Sequence, residues 1–569
     1  MTYWNMKIFN KVIFLSLMMI IQSCAIVGIH FQVHNPKRPG KMPKFAQDVV
    51  LLGEMTRYRD CFDVYYYDLS VNIDPSEKSL DGSVEIYATA LTDIDTLQLD
   101  LHENFDITRL TEHEKGNEMT YKREERAVFI PVNLTRGERF CLKIDYIGKP
   151  LIAKKPPWKG GFVWKKDKEG KPWIGVACES EGASVWWPLK DHTSDEPDSM
   201  RMHFTVPRNL MAVSNGQLEG TVEQGSCTTF NWFVSSPINT YNVTVYAGDF
   251  RLISDEYTGI NGQKLALDYY VLDRNYEKAK THFKQVLPIL KVYEEKFGEY
   301  PWYRDGFKLV ESPYAGMEHQ TAIAYGNKYK NDADPSTDYI ILHEAAHEWW
   351  GNSVTARDFS DVWLQEGFAT YAEALYFEEM SGEKGFNNHI FFIKIFIKNK
   401  YPLVGVKDRR WFHYRKSSDV YFKGAWILQT LRMQLNNDNL FFDIIRTFAE
   451  KYKYQLVESK DFIDLVNQKT NSDYNWFFDL YLYENCSPEL EYNLVNPGRL
   501  YYRWNRVSPE FNKLTVRLQC NDKIFTLTPT DQVQRIDLQP DHYGNYNFMF
   551  YRDILFAVKR NNHLIQEKK

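Results

Sequence analysis

The stretch Leu342-His343-Glu344-Ala345-Ala346-His347-Glu348-Trp349-Trp350-Gly351 gathers three residues able to do chemistry within five positions. Read as a helix, with Thr337 or Ser336 as its cap and Gly351 as its end, it sends both imidazoles out from one face, because His343 and His347 are four residues apart. Two nitrogens so placed can share one Zn²⁺ at about 2.0–2.1 Å. Glu344 then lies beside the open coordination position, where a carboxylate can take a proton from water. The plain alternative is a helix that holds two histidines and a glutamate by coincidence. Glu366 argues against it. It sits in Val362-Trp363-Leu364-Gln365-Glu366-Gly367-Phe368, with 18 residues between it and His347. A second helix folded back on the first brings its carboxylate to the same ion. His343, His347 and Glu366 then make a three-ligand catalytic set with one place left for water, whereas a closed structural site needs a fourth protein ligand. Glu373, two turns beyond Glu366, is either an outer partner of a ligand histidine or an exposed carboxylate.

These residues need a large scaffold, and the chain supplies one. At roughly 100–200 residues per domain, 569 residues correspond to three or four domains. A hydrophobic share of 44% fills cores and excludes a disordered or fibrous chain. The balance of 69 Lys and Arg against 75 Asp and Glu, net −6, offers no basic footprint for nucleic acid.

From about Asp63 to Ile253 the pattern is strand-like. Ser83-Val84-Glu85-Ile86-Tyr87-Ala88 alternates with period two, and turn clusters such as Asp74-Pro75-Ser76 and Ser214-Asn215-Gly216 punctuate the region. This predicts a large, mostly antiparallel β domain. Val286, Ile289, Leu290 and Tyr293 then fall at helical spacing in a segment that Gly298 can end and Pro288 can kink. Helical stretches dominate to about Asn485. After Pro488 short strands return, as in Lys513-Leu514-Thr515-Val516-Arg517-Leu518.

The N-terminus reads as an address. Lys7 and Lys11 precede the apolar run Val12–Ile21, a secretory signal pattern, and Ile21-Gln22-Ser23-Cys24 resembles a bacterial lipoprotein signal in which Cys24 is lipidated. A rival reading extends the apolar stretch through Phe31 as a membrane anchor. Either one predicts an exported, membrane-tethered protein, periplasmic or extracellular. Cys61, Cys141, Cys178, Cys227, Cys486 and Cys520 form no CxxC pair and read as mostly buried apolar residues.

With these motifs in place, the chain resembles the aminopeptidase N family of gluzincin zinc metallopeptidases. Tyr314-Ala315-Gly316-Met317-Glu318-His319 is similar to that family's exopeptidase motif, normally Gly-x-Met-Glu-Asn, with Ala315 in the Gly place, Gly316 at the variable position and His319 in the Asn place. Cys178-Glu179-Ser180-Glu181-Gly182 resembles the segment that supplies a second ammonium-binding group, by position Glu179. Val420-Tyr421-Phe422-Lys423-Gly424-Ala425 resembles the segment of the transition-state tyrosine, here Tyr421. Gln365 stands where the family usually has Asn. The joint match runs in chain order from about Asp63 to the C-terminus.

The resemblance implies a multidomain α+β protein. The expected parts are residues 1–23 as signal or anchor, 24–62 as tether and linker, 63–253 as an antiparallel, saddle-like β domain, 254–488 as a thermolysin-like, mostly helical zincin catalytic domain, and 489–569 as a small C-terminal β-sandwich. Many relatives carry a helical C-terminal domain over the cleft. About eighty residues follow the helical region here, so a short form is expected, with a cleft more open or closed by a partner subunit. One Zn²⁺ per chain and hydrolysis of the N-terminal bond of peptides with a free N-terminus are the implied cofactor and activity. Glu344 is the implied base, Tyr421 the oxyanion donor, and Glu318, Glu179, Gly316 and Met317 the substrate-binding residues. A zinc endopeptidase and a non-catalytic, zinc-containing surface binding protein stay open as alternatives. Epoxide hydrolysis, known in one branch of the family, would need part of the missing C-terminal domain.

Overall fold

The computed structural model describes residues 44–565 except 46, 114–115, 411–416, 506, 508–510 and 512. The expected signal or anchor and Cys24 lie outside the described residues. Among the described residues no helix is long and apolar enough to cross a membrane.

The alternating segments form a seven-stranded sheet in the order Gln217–Gln224, Cys227–Val234, Ser199–Pro207, Phe62–Asp74, Ser79–Ala90, Arg139–Gly148 and Phe105–Glu112. Its neighbours are antiparallel except for Phe62–Asp74 with Ser199–Pro207, which run parallel. That exception to an antiparallel expectation is a matter of connection. Over a hundred residues separate the two strands, ample for the crossover a parallel pair requires. Ser199–Pro207 buries every second residue, so one face of the sheet turns inward. A four-stranded sheet (Met211–Ser214, Val245–Gly248, Pro172–Ala177, Gly161–Lys166) and a three-stranded one (Ile94–Asp100, Ala127–Leu134, Lys122–Glu124) add Val176, Val245, Leu97 and Ile130 to the same core.

The second unit is not helical from its start. Phe250–Thr258, Lys264–Leu272, Phe307–Glu311, Ile323–Tyr325 and Gly316–Met317, in that order, make a five-stranded mixed sheet. The division expected between 253 and 254 therefore cuts a strand; sheet membership changes between Gly248 and Phe250 instead. The strands of two and three residues at its far edge are too short to show any period, so that edge had no readable signal.

Four helices matter for the site: α1 (Val286–Phe297), α2 (Tyr339–Ala346), α3 (Trp363–Lys394) and α4 (Asp419–Leu435). Pro288 does not kink α1. A 3₁₀ turn, Phe283–Gln285, separates α1 from the preceding helix, so Pro288 falls in a first turn where its missing N–H has no intrahelical partner to lose. Within α3, Gly382 adopts φ 65° and ψ −164°, so two helices meet there in a sharp reversal.

Where α3 and α4 meet, a Cβ on Gly367 would stand 2.9 Å from the Gly424 Cα, and one on Gly424 would stand 2.8 Å from the Gly367 Cα. The two backbones approach this closely only because both positions are glycine. The contact draws the segment holding Tyr421 against the segment holding Glu366.

After Glu489 the chain forms a four-stranded sheet (Gln534–Asp537, Arg499–Asn505, Glu489–Val495, Ala557–Arg560) and a three-stranded one (Lys523–Leu527, Val516–Cys520, Phe548–Phe550). Leu490, Trp504, Leu518 and Phe556 share one core with Trp426 and Phe477 of the helical region.

Candidate metal centre and cleft

α2 begins at Asp338, not at Ser336 or Thr337. The Asp338 carboxylate accepts from Ile340 N (2.9 Å), Asn327 Nδ2 (2.8 Å) and Tyr325 O–H (2.6 Å), and pairs with His282 Nε2 at 2.8 Å. Ser336 instead bonds Asp334 in the preceding turn. The helix ends at Ala346, well before Gly351, and His347 follows as its cap with φ −64° and ψ −18°. The second histidine thus keeps a helical backbone conformation and its place on the same face.

Three donor atoms converge. His343 Nε2 and His347 Nε2 are 3.2 Å apart, and Glu366 Oε2 lies 3.5 Å from the first and 3.4 Å from the second. An ion holding ligands tetrahedrally at about 2.0–2.1 Å sets them about 3.3–3.4 Å apart. The triangle therefore has the size of one face of a zinc tetrahedron. All three residues are buried. Burial lowers the proton affinity of both imidazoles, but the surrounding carboxylates together more than reverse this, Glu366, Glu373 and Glu344 at His343 and Glu366 with Glu318 at His347. Glu366 itself is held down at about 2 by the two imidazoles, against the upward push of burial. The donor set thus favours positive charge at its centre, which suits a divalent cation.

Each imidazole is oriented through its other nitrogen. His347 Nδ1 lies 2.7 Å from Trp350 O, and His343 Nδ1 lies 2.7 Å from Glu373 Oε1, so each Nδ1–H has an acceptor and Nε2 faces the ion. Glu373 is only 1% exposed, which decides between the two sequence readings in favour of the outer partner. The rings of Tyr339 and Tyr421 both stack against His343, with centroids 5.5 and 6.0 Å away. Tyr421, on the first turn of α4, is thereby brought beside the metal ligands.

Glu344 and Glu318 stand on the same side of the triad. A carboxylate oxygen from each lies within 4.8 Å of the other and of a His347 ring nitrogen. Burial pushes Glu344 up, to about 8, with Glu318 and Glu366 adding to the push and the two histidines opposing it. A cation at the triad would oppose it further. Gly316 gives Glu344 its room: a Cβ there would stand 2.3 Å from Glu344 Oε1 and 2.9 Å from Ile340 Cγ2. Met317 follows Gly316 on the same short strand. Its side chain is 2% exposed and joins the core of the N-terminal region, so it packs the edge strand against that region.

Glu318 Oε1 accepts from Tyr241 O–H at 3.3 Å, and Tyr241 Oη accepts from Gln365 Nε2 at 3.0 Å. Gln365, one departure from the family motif, thus links the zinc helix α3 to Glu318 through a tyrosine of the N-terminal region. His319, another departure, is fully buried with Nδ1 2.6 Å from Tyr246 Oη, and burial lowers it to about 3. The structure also separates Glu179 from Glu181. Glu181 Oε2 accepts from Gly160 N at 2.8 Å and from Ser180 Oγ, which ties it to its own loop. Glu179 is raised by burial and by the charges of Glu318, Glu366 and Glu344, which places it in the field of the site. Arg410 anchors that turn, donating from Nε to Glu179 O (3.1 Å) and from Nη1 to Asp191 Oδ1 (2.7 Å).

Tyr241, Tyr339 and Arg410 carry no motif, and sequence reading passed over them. Tyr241 and Arg410 reach the site from distant segments, so no local spacing marks them, whereas Tyr339 stands one turn before His343 on α2, a spacing that could have marked it.

The fold and the three-ligand centre define a zinc metallopeptidase. The chain belongs to peptidase family M1: the Peptidase M1 N-terminal domain matches residues 64–241 and the Peptidase family M1 domain matches residues 281–481. It is 23% identical to leukotriene A-4 hydrolase of Xenopus laevis over 431 residues, 70% of this chain and 67% of that protein. It is 25% identical to aminopeptidase N of Escherichia coli over 406 residues, 65% of this chain but only 44% of that protein. The fold is shared with an M1 zinc metallopeptidase of Deinococcus radiodurans solved with a Tyr-Ser-Ala substrate (TM-score 0.61, 21% identity, covering 74% of this chain and 94% of that one).

Proposed function

We propose that the protein is a zinc aminopeptidase that removes the N-terminal residue of peptides. The observation that carries this reading is the buried Glu318 carboxylate, within 4.8 Å of Glu344 and His347 and in the field of a second buried carboxylate, Glu179. A buried carboxylate beside the metal triad is complementary to a cation, and the α-ammonium of a peptide supplies one. With that ammonium held, the first peptide bond lies over the metal, and a mid-chain segment leaves the carboxylates uncompensated.

Zinc held by His343, His347 and Glu366 supplies Lewis acidity, lowering the pKa of water to about 7 and polarising the scissile carbonyl. Glu344 takes the proton of the attacking water and returns it to the leaving amine. Tyr421 donates its O–H to the developing oxyanion. The peptide bound by the Deinococcus relative is consistent with such a substrate.

The test is a panel of aminoacyl-fluorophores, free and N-acetylated, with and without a chelator. Free substrates should turn over, acetylated ones should not, and chelation should abolish turnover. Equal rates on acetylated peptides would make it an endopeptidase. A zinc-loaded protein inert on every free-amine substrate would make it a binding protein.

We also propose, from the N-terminal pattern alone, that the protein is exported and tethered through lipidated Cys24. Mass spectrometry of the mature N-terminus tests this, and an unlipidated terminus would sink it.

A further inference from the structure

Glu373 has a second partner beyond the zinc ligand. Its Oε1 is 2.7 Å from His343 Nδ1, and its Oε2 is 2.8 Å from His389 Nε2. The three side chains form one line, from the metal ligand through a carboxylate that is 1% exposed to a histidine near the surface, 12% exposed.

Residues 373 and 389 both belong to α3, and in a continuous helix sixteen residues would separate them by about 24 Å. The reversal at Gly382 removes that distance. With φ 65° and ψ −164°, Gly382 occupies a region essentially closed to residues with a Cβ. The turn is also tight: a Cβ on Gly385 would stand 2.4 Å from Phe377 O. The second half of α3 therefore folds back along the first, and His389 packs on Phe377, with ring centroids 5.1 Å apart. The glycine pair in Ser381-Gly382-Glu383-Lys384-Gly385 is the sequence signal of this hairpin.

A carboxylate this deeply buried needs partners for both oxygens. His343 is hydrogen-bonded to one, and the other lies in a close ion-pair contact with His389. We propose that His389 is a positioning residue for the metal centre: by holding Glu373 Oε2 it keeps Oε1 on the His343 Nδ1–H, and so keeps His343 Nε2 aimed at the ion. This rests on the metal reading of His343, His347 and Glu366. Outer partners of metal-binding histidines commonly matter 10–100-fold in affinity, and His389 acts one residue further out.

Two variants separate positioning from packing. His389→Phe keeps a ring against Phe377 but has no donor, while His389→Gln offers an amide N–H to the same carboxylate oxygen. Zinc dissociation constants are measured by chelator competition on the folded full chain, with folding followed by circular dichroism. His389→Phe should weaken zinc binding about 10-fold. His389→Gln should stay within about 3-fold of wild type. In a Glu373→Gln background, His389→Phe should add no further loss, because the route through residue 373 is already altered. A folded His389→Phe with wild-type zinc affinity overturns the proposal. So does equal weakening by both variants, or an undiminished loss in the Glu373→Gln background. If His389→Phe does not fold, His389→Ala is measured in the two backgrounds instead: a loss that disappears in Glu373→Gln supports the relay and an additive loss overturns it. A wild-type chain that binds no zinc would instead overturn the metal reading, and the relay with it.

Discussion

Glu344 Oε1 occupies the space in which a side chain on Gly316 would begin, 2.3 Å from the position of its Cβ. The edge strand Gly316–Met317 and helix α2 are therefore matched at a single missing atom. Gly316→Ala should force the base or the strand aside while leaving the metal ligands on α2 and α3 in place. The expected result is kcat reduced at least about 10-fold, since a small misplacement of a catalytic group is costly, with zinc content unchanged. Kinetics paired with metal analysis checks this, and a normal kcat would show that the strand yields freely.

Glu344→Gln and Tyr421→Phe should separate proton transfer from oxyanion stabilisation. Removing a general base typically costs 10²–10⁴ in rate, and removing an oxyanion donor about 10²–10³. Both variants should keep stoichiometric zinc. Substantial turnover by Glu344→Gln would remove it from the base role, and an unaltered kcat in Tyr421→Phe would leave Tyr421 as a packing residue stacked on His343.

Tyr241→Phe deletes the hydroxyl between Gln365 and Glu318. A hydrogen bond of this kind contributes about 1 kcal/mol, equivalent to roughly 5-fold. The loss should appear mainly as a higher KM for free-amine substrates, because the proposed role of Glu318 is to bind the ammonium rather than the reacting carbonyl. An effect confined to kcat would contradict that placement.

His319 gives a pH dependence with a definite sign. Its folded-state pKa is lowered to about 3 by burial, against about 6.5 when unfolded. Between those values the unfolded chain binds a proton that the folded chain does not, so stability falls as pH falls, by about 1.4 kcal/mol per pH unit for this group. Glu348, pushed up to about 8 by burial, gives the opposite slope, so the contribution of His319 is read as a difference. Denaturant titrations of wild type and His319→Asn from pH 7 to pH 4 should diverge by that slope. Parallel curves would mean that His319 is protonated in the folded state.

The sequence by itself determined the catalytic core. His343, Glu344 and His347 lie within about one helical turn of each other, so helical geometry alone puts them on one face, and Glu366 follows on the next long helix. The β, helical, β order was likewise legible, because long strands and helices carry their periods over many residues. Tertiary structure decided whatever depends on contacts between distant segments. Glu179 was separated from Glu181 by a hydrogen bond from Gly160 N to Glu181. Tyr241 meets Glu318 across 77 positions of chain. His389 meets Glu373 because the chain turns back at Gly382, and which residues then face each other is set by how the two halves of the helix pack. Local spacing encodes which residues share a face of one element; which faces then meet is set by packing of the whole chain, and no window of sequence contains it.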